Sequence, residues 1–365
     1  MKTKANTTSE EPNKASSRLL SLDAFRGLAV IVMLLVNTFA GVRGTPTQFR
    51  HATWAEPIHL ADLAFPWFLF CVGIAIPFSA SSFKKKHLPS WKYDLKVFRR
   101  TLILLALGAL LETTGDVDTS GILHSLMTGL HNVEFFSVGV LQTIAIAYAV
   151  SALLYDLNIH RRIAIASVTL IVYWAALKYV PIPGVGAGVF KEDENLILHL
   201  NRYYLGSVGL WNVTRLVPTT ALVLIGTAIG DMLRQRTMSG ARKSAWLIIS
   251  GIVLMALGYI WSLSLPFNKP VWTPSYILLS AGTGAFVLGV LTALMDVLEW
   301  KRWGFPLLVF GANAIVAYVA PIVVKTTILS PLGIYILGWK AVMLFVLFWW
   351  IVLWLLYRKK WFIRV

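Results

Sequence analysis

Acidic residues and cysteine are both scarce in this sequence. Aspartate and glutamate together account for 17 of its 365 residues, and all charged residues make up 14%, against about 25% in a typical soluble domain. Cys71 is the single cysteine, which excludes an intrachain disulfide and a cysteine-based metal site. The sequence also lacks a nucleophile-elbow serine, a P-loop and a dinucleotide fingerprint. These absences exclude several common enzyme classes and direct attention to the apolar part of the chain.

Hydrophobic residues make up 57% of the chain, and the mean hydropathy is +0.69. A soluble fold cannot bury so much apolar surface, so we predict an all-α, polytopic integral membrane protein. A membrane span needs about 20 apolar residues. Ten segments meet or approach this requirement: 19–41, 60–82, 97–112, 136–155, 162–180, 216–234, 244–264, 273–296, 304–323 and 338–357. The segment 324–337 is expected to be a re-entrant piece or an eleventh short helix.

The net charge of +16 does not indicate nucleic-acid binding, because the basic residues lie in short clusters between apolar runs. Such clusters orient a membrane protein and contact anionic membrane lipids. With the N-terminus in the cytoplasm, ten spans place 24 of the 33 lysines and arginines on the cytoplasmic side. We therefore predict that both termini are cytoplasmic. Residues 1–17 are expected to form a disordered cytoplasmic tail, and residues 18–365 a single transmembrane domain.

Polar residues collect on the predicted external side. His51 lies in the first external loop, residues 42–59, and Asp62 begins the second helix on the same face. The other long external segments are 113–135 and 181–215, whereas the cytoplasmic loops are short. This pattern predicts an external site for a polar substrate. A loop histidine is often idle, and a carboxylate also suits the positive end of a helix dipole, so a transporter and an enzyme both remain open on these residues alone.

Polar side chains within the predicted spans are further candidates, because such groups are costly in a bilayer. Asp23 and Arg26 lie three residues apart near the inner end of the first span, where they can form an ion pair. Asn37 lies at the outer end of the same span. Gln142 and Asn313 lie in later spans. Hydrogen bonds between helices would also explain these amides.

Seven motifs occur in order along the chain. SLDAFRG opens the first span and Val36-Asn37 closes it, and the later motifs are HATW, ADLAFPWFLFCVG, GVLQ, NKPVWTPSYIL and FGANAIVAYV. In this order they resemble the heparan-α-glucosaminide N-acetyltransferase family of transmembrane enzymes, over residues 18–357. HATW followed by the ADLxFPxFLFxxG pattern is the most specific part. The likeness is to bacterial-type members, which lack the large lumenal domain of the lysosomal enzyme.

This resemblance implies an acetyl-CoA-dependent N-acetyltransferase that uses no metal. The family transfers an acetyl group from cytosolic acetyl-CoA to the amine of a terminal, glucosamine-like sugar across the membrane. The resemblance implies a catalytic role for His51, as a general base or as a carrier of the acetyl group. It also implies that Asn37 lies beside the acetyl thioester. Asp62 is the third catalytic candidate, since its carboxylate can orient His51, although stabilisation of the positive end of the helix dipole would explain it equally well. Ping-pong transfer and direct transfer both remain open.

The remaining assignments concern the two substrates. Five residues are assigned to coenzyme A: Arg26, Arg99, Arg100, Gln142 and Asn313. Arginines suit phosphate groups, although the neighbouring pair also fits a simple topology signal. Three residues of an external turn are assigned to the acceptor sugar: Lys269, Trp272 and Ser275. A tryptophan at this depth also fits an interfacial aromatic belt.

Two positions depart from the family pattern. Thr143 follows GVLQ where relatives commonly carry arginine, and residues 209–220 lack the Asp-Pro-Glu-Gly stretch of bacterial relatives. These departures bear on acceptor recognition more than on the acetyl-transfer centre. An amino-sugar or oligosaccharide transporter, and a membrane O-acyltransferase acting on a cell-surface glycan, therefore stay as alternatives. The family suggests a homodimer, and its bacterial members suggest a multi-pass protein of the inner (plasma) membrane.

Overall fold

The computed structural model describes residues 19–86, 89–115 and 138–363. These residues form helices, turns and two isolated β-bridges, with no strand among them. The predicted all-α class is therefore confirmed for the described part of the chain. The predicted tail, residues 1–17, and most of the predicted external loop 113–135 lie outside the described residues.

Twelve α-helices follow one another in these residues. They are α1 Leu20–Phe39, α2 Leu60–Lys85, α3 Ser90–Gly115, α4 Val140–Leu153, α5 Ile159–Tyr179, α6 Leu196–Leu200, α7 Leu216–Arg234, α8 Gly240–Ser262, α9 Pro274–Leu291, α10 Phe305–Ala312, α11 Ala314–Val324 and α12 Gly338–Arg358. Each of the ten predicted spans coincides with one of these helices or, for 304–323, with the pair α10 and α11.

Seven helices in the described part of the chain are long and apolar enough to cross a membrane. The bent pair α10–α11 has the composition of either a broken eighth span or a re-entrant loop. The other two predicted spans correspond to α3 and α4. The first half of α3 carries several charged side chains, and α4 with its 3₁₀ extension ends at Asp156 and is shorter than the seven. Ten crossings with both termini on one side therefore stay a prediction.

The segment 324–337 does not form a separate long helix. Residues Lys325–Leu329 form a π-helical turn that continues α11, and the chain then runs through turns and irregular backbone to α12. α10 and α11 meet at Asn313 with a bend of 68°. This irregular backbone lies in the part of the bundle that borders α1.

Helix burial divides the bundle into a centre and a periphery. In an apolar stretch of 18 residues taken from each spanning helix, the buried share is 61%, 78% and 61% for α1, α2 and α9. The corresponding share is 28%, 22% and 17% for α5, α8 and α12. The exposed surface of the peripheral helices is dominated by large apolar side chains such as Ile171, Ile252 and Leu347. In a membrane this surface faces lipid, while the polar groups concentrate between the central helices.

Two glycines let α1 and α10 pack closely. A Cβ atom on Gly27 would lie 1.9 Å from the carbonyl oxygen of Leu307, and one on Gly311 would lie 2.0 Å from that of Asp23. Small residues at such crossings allow close helix packing in membranes. The glycines of the FRG and FGAN motifs therefore bring the Asp23–Arg26 pair beside the bend at Asn313.

The distribution of basic residues predicts that Gln48 and Lys84 lie on opposite sides of the membrane. In a Cys71→Ser background, Gln48→Cys and Lys84→Cys should react with a membrane-impermeant maleimide from opposite sides of sealed vesicles. The Lys84 side chain is 73% exposed, so access does not limit its labelling. Labelling of both cysteines from the same side would contradict the ten-span topology.

Candidate active site

The loop that carries His51 is braced by its own side chains. Arg50 forms an ion pair with Glu56, and the backbone N–H of Thr53 donates to the same carboxylate at 2.8 Å. The hydrogen bond from Arg50 lowers the pKa of Glu56 to about 2. Trp54 packs on Phe190, with ring centroids 5.0 Å apart, which links the loop to the segment 181–215. The loop therefore has one defined conformation although much of it is exposed.

The start of α2 fixes the other end of this loop. His59 precedes the helix, is 3% exposed, and its Nδ1 lies 3.1 Å from the carbonyl oxygen of Arg50. The Leu60 N–H donates to Oε1 of Gln48 at 3.0 Å. Asp62 lies in the first helical turn, where its carboxylate accepts the otherwise unpaired backbone N–H of His59 at 3.1 Å. A side chain that accepts a free N–H at a helix start also fixes where the helix begins.

His51 and Asp62 form a hydrogen-bonded pair. Nδ1 of His51 lies 3.0 Å from Oδ1 of Asp62, and the Ala52 N–H donates to Oδ2 at 3.2 Å. The Asp62 side chain is 1% exposed, whereas that of His51 is 55% exposed. The hydroxyl of Tyr276 donates to the Asp62 carbonyl oxygen at 2.6 Å. The carboxylate is thus held rigidly while the imidazole remains open to a substrate.

Lys269 is the third member of this cluster. Its Nζ lies 2.8 Å from Nδ1 of His51 and 3.3 Å from Oδ1 of Asp62. Burial lowers the pKa of Lys269, and the nearby Asp62 charge opposes that effect. The pairing of Lys269 with His51 is not foreseen from the sequence, which assigns this lysine to the acceptor.

The turn before α9 holds Lys269 in place. Oδ1 of Asn268 accepts the Val271 N–H at 2.9 Å, and Trp272 adopts a positive φ of 58°. The Trp272 ring meets Phe65 edge-on at a centroid distance of 5.5 Å. Ser275 is fully buried and donates to the Leu265 carbonyl oxygen at 2.8 Å. Ser275 therefore supports the turn, while Lys269 and Trp272 reach the cavity described next.

An outer chamber of about 420 Å³ opens in front of the cluster. Its lining includes Asn37, His51, Asp62, Lys269, Trp272 and Arg215. The structure therefore brings together all three predicted catalytic residues and two of the three residues assigned to the acceptor. Arg215 comes from the segment before α7, where the sequence departs from the family pattern.

An inner chamber of about 370 Å³ lies at the opposite end of the bundle. Three cationic side chains, Arg26, Lys96 and Arg100, line it. The Nε atoms of Arg26 and Arg100 are buried and have no hydrogen-bond partner among the described residues. Arg100 also stacks on the Tyr148 ring, 4.4 Å from its centroid. Unpaired guanidinium N–H groups in a cavity suit a phosphate-bearing molecule.

The two chambers meet at Met33 and Tyr318, which line both. Met33 lies in the middle of α1, and Tyr318 lies in α11 just after the bend at Asn313. These two side chains therefore form the wall that lies between the three cations and the His51 cluster.

Three residues assigned to the cofactor occupy other positions. Arg99 is exposed on another face of α3 than Arg100. Gln142 is 5% exposed and packs against Gly108, where an added Cβ would lie 2.4 Å from its Oε1. Asn313 donates to the Trp361 carbonyl oxygen at 3.1 Å and accepts the Ile363 N–H at 2.9 Å. Asn313 thus attaches the C-terminal segment to the wall of the inner chamber.

The family profile described as "Heparan-alpha-glucosaminide N-acetyltransferase, catalytic" matches residues 18–265. The chain belongs to this family. It is 26% identical to the human heparan-alpha-glucosaminide N-acetyltransferase over 356 residues, which cover 83% of this chain and 52% of the relative. The mouse protein of the same name is 24% identical over 364 residues, covering 85% and 54%. The chain spans about half the length of these curated relatives.

The match to the acetyltransferase family includes residues that line each of the two chambers. Arg26, Arg100, His51 and Asp62 lie within the matched residues, whereas Lys269 lies just beyond them. In the described residues no group of three or more histidine, cysteine, aspartate or glutamate side chains is placed to hold a metal ion. Lys96 is not among the residues that the sequence assigns to coenzyme A. Its spacing is a usable signal, because it lies one helical turn before Arg100 and hence on the same face.

We expect Arg100 and Arg99 to differ in their effect on acetyl-CoA binding. Loss of a hydrogen bond to a charged group costs about 1.5–3 kcal/mol, so Arg100→Met should raise the KM for acetyl-CoA about 10- to 100-fold. Arg99→Met removes the same charge from the exposed face of α3 and is the matched control. Steady-state kinetics of the two purified variants measures the difference. Equal KM values would mean that the chamber does not bind the nucleotide.

Proposed function

We propose that the protein transfers an acetyl group across the membrane, from cytosolic acetyl-CoA to the amine of a glucosamine-like sugar outside. The observation that carries the proposal is a pair of adjoining chambers that share Met33 and Tyr318. One is lined by cations and the other by the His51–Asp62–Lys269 cluster. Membership of the acetyltransferase family supports the reaction class. The ten-span topology with cytoplasmic termini, within a single domain of residues 18–365, is part of the proposal.

The inner chamber is the proposed site for the nucleotide end of acetyl-CoA. Arg26, Lys96 and Arg100 would bind its phosphates, and the unpaired Nε atoms of the two arginines are consistent with this use. The apolar wall between the chambers suits the uncharged arm of the molecule. The thioester would then lie near Met33 and Tyr318, within reach of the outer chamber.

The outer chamber is the proposed site of chemistry. A neutral amine would attack the thioester carbon, and the imidazole of His51 would accept its proton near neutral pH. The C–S bond would then break, coenzyme A would leave as the thiolate, and the proton on His51 would pass to that thiolate or to solvent. Asp62 orients the imidazole of His51 through the 3.0 Å contact to Nδ1. The Asn37 side chain would donate a hydrogen bond to the thioester oxygen as negative charge develops there.

Lys269 supplies charge balance in this arrangement. A buried carboxylate needs a positive partner, because an uncompensated charge costs several kcal/mol. The ammonium of Lys269 lies 3.3 Å from Oδ1 of Asp62 and provides that charge. In this arrangement Lys269, and not His51, supplies the positive charge beside Asp62. This role differs from the acceptor contact assigned from the sequence.

Covalent transfer through His51 is the alternative chemistry. We favour the base mechanism, because an acetyl-imidazole is labile and the His51 side chain is 55% exposed to water. Incubation with labelled acetyl-CoA in the absence of an acceptor separates the two. A carrier histidine would retain label and release free coenzyme A, whereas a base would do neither.

His51→Ala should abolish acetyl transfer and leave the fold intact. Loss of a general base typically slows the reaction about 10²- to 10⁴-fold, and an exposed loop side chain should cost less than about 1 kcal/mol in unfolding free energy. His160→Ala, at an exposed position at the start of α5, is the control. Turnover of methyl glucosaminide against methyl glucoside measures transfer to nitrogen and to oxygen separately.

Near-normal turnover by the His51→Ala variant would refute both mechanisms. Acetylation of the glucoside as fast as the glucosaminide would instead favour an O-acyltransferase. Uptake of the sugar without release of coenzyme A would favour a transporter.

Lys269→Met should make the reaction depend on alkaline pH. Without the ammonium, the buried Asp62 charge favours a protonated His51, so the base is lost at neutral pH and returns as the pH rises. We expect kcat at neutral pH to fall about 10- to 100-fold, at or below the lower limit for complete loss of a general base. Lys269→Arg keeps the charge and should keep the pH profile close to that of the native protein.

The pH dependence of kcat and of the acceptor KM distinguishes this role from acceptor binding. A raised acceptor KM with an unchanged pH profile would mean that Lys269 only contacts the sugar.

A further inference from the structure

A third pocket, of about 300 Å³, adjoins the two chambers, and we call it the lateral arm. It lies between the outer part of α1, the end of α11 with its π-helical turn, and α12. Asn37 lines both this arm and the outer chamber, and Tyr318 lines the arm and both chambers. The lateral arm therefore borders the site of the proposed chemistry at Asn37.

The lateral arm borders the lipid-facing side of the protein. α12 is the least buried of the seven candidate spanning helices, with 17% of its 18-residue apolar stretch buried. Phe345 lines the arm, and Leu344 and Phe348 beside it are 66% and 54% exposed. Ile322 and Pro321 supply apolar surface on the opposite wall. A hydrocarbon chain therefore fits the arm better than a hydrated sugar does.

Lys325 is the one charged residue among those found to line the arm, and no carboxylate is among them. Its Nζ donates to the carbonyl oxygen of Asn37 at 2.9 Å. An ammonium group carries three N–H donors, so one such contact leaves capacity for an anion. A charged residue within a membrane segment marks a functional site by default. Lys325 also begins a π-helical turn, a feature that is frequent at functional sites.

We propose that the acceptor is a membrane-anchored amino sugar whose lipid is joined to the sugar through a phosphate. The hydrocarbon chain occupies the lateral arm, the phosphate binds Lys325, and the sugar amine reaches Asn37 and His51 in the outer chamber. This inference rests on the proposed acetyl transfer and names the class of its acceptor. The alternative is that Lys325 only caps the last carbonyl groups of α1.

Four acceptor probes separate the contributions of phosphate and chain. They are methyl glucosaminide, glucosamine 1-phosphate, a long-chain alkyl glucosaminide, and glucosamine joined through a phosphodiester to the same alkyl chain. The native protein should have its lowest KM for the fourth probe. In the Lys325→Met variant, the KM of the fourth probe divided by the KM of methyl glucosaminide should rise about tenfold or more. This is the loss expected for a charge-assisted hydrogen bond.

Three further variants complete the design. Lys325→Arg should restore most of the discrimination, because it keeps the charge. Lys340→Met removes an exposed lysine from the first turn of α12 and should leave the ratio unchanged. Phe345→Trp narrows the arm and should raise the KM of the two chain-bearing probes relative to the two without a chain.

An equal change in KM for all four probes in the Lys325→Met variant would mean that Lys325 only supports α1, and would overturn the inference. A native protein that acetylates methyl glucosaminide as readily as the fourth probe would also overturn it, while leaving the proposed function in place. A native protein that acetylates none of the probes would refute the proposed function itself.

Discussion

The candidate site depends on the hydrogen bonds and charge contacts of the buried Asp62 carboxylate. It is 1% exposed, yet it accepts the backbone N–H groups of Ala52 and His59 and contacts His51 and Lys269. Removing a carboxylate from water costs several kcal/mol unless its partners compensate. Because the carboxylate needs all of these partners, its contacts hold the external loop, the start of α2 and the turn before α9 together. It also explains how a histidine on an exposed loop keeps a fixed orientation.

The rest of the bundle forms the two chambers in which the substrates would bind near this cluster. Gly27 and Gly311 let α1 and α10 approach closely, and the residues on either side of the bend at Asn313, Ala312 and Ala314, line the inner chamber. Met33 and Tyr318 lie where the two chambers meet. The surroundings are apolar, and a low dielectric strengthens each polar interaction within them. A few charged side chains at each end are therefore enough to define where a phosphate group and an amine can bind.

Hydropathy and charge predict the helical segments well, because lipid imposes length and composition on every span. The ten predicted segments coincide with helices, although α3 begins well before its apolar part and α10–α11 is bent. His51 and Asp62 could be linked to one site through the resemblance to a known family. Their relation to Lys269 could not, because 207 residues separate Lys269 from Asp62 and only the tertiary fold brings them together.

Helix geometry explains the cofactor assignments that the structure places elsewhere. Adjacent residues point in directions about 100° apart on a helix, so Arg99 and Arg100 could not both enter one chamber, whereas Lys96 and Arg100 could. Gln142, Asn313 and Ser275 are buried polar residues, and a sequence does not reveal whether such a group faces a ligand or the protein. Asn313 and Ser275 bond to nearby backbone groups. The direction in which these three side chains face depends on how neighbouring helices pack, and sequence composition does not give that information.

Transfer across a sealed membrane tests the central claim most directly. Acetyl-CoA would be enclosed in proteoliposomes, a glucosamine oligosaccharide added outside, and the orientation of the protein determined by labelling. We expect acetylated oligosaccharide outside only from molecules whose Arg100 side faces the enclosed acetyl-CoA, and none from vesicles that carry His51→Ala. Product that forms only when both substrates are on the same side of the membrane would contradict it.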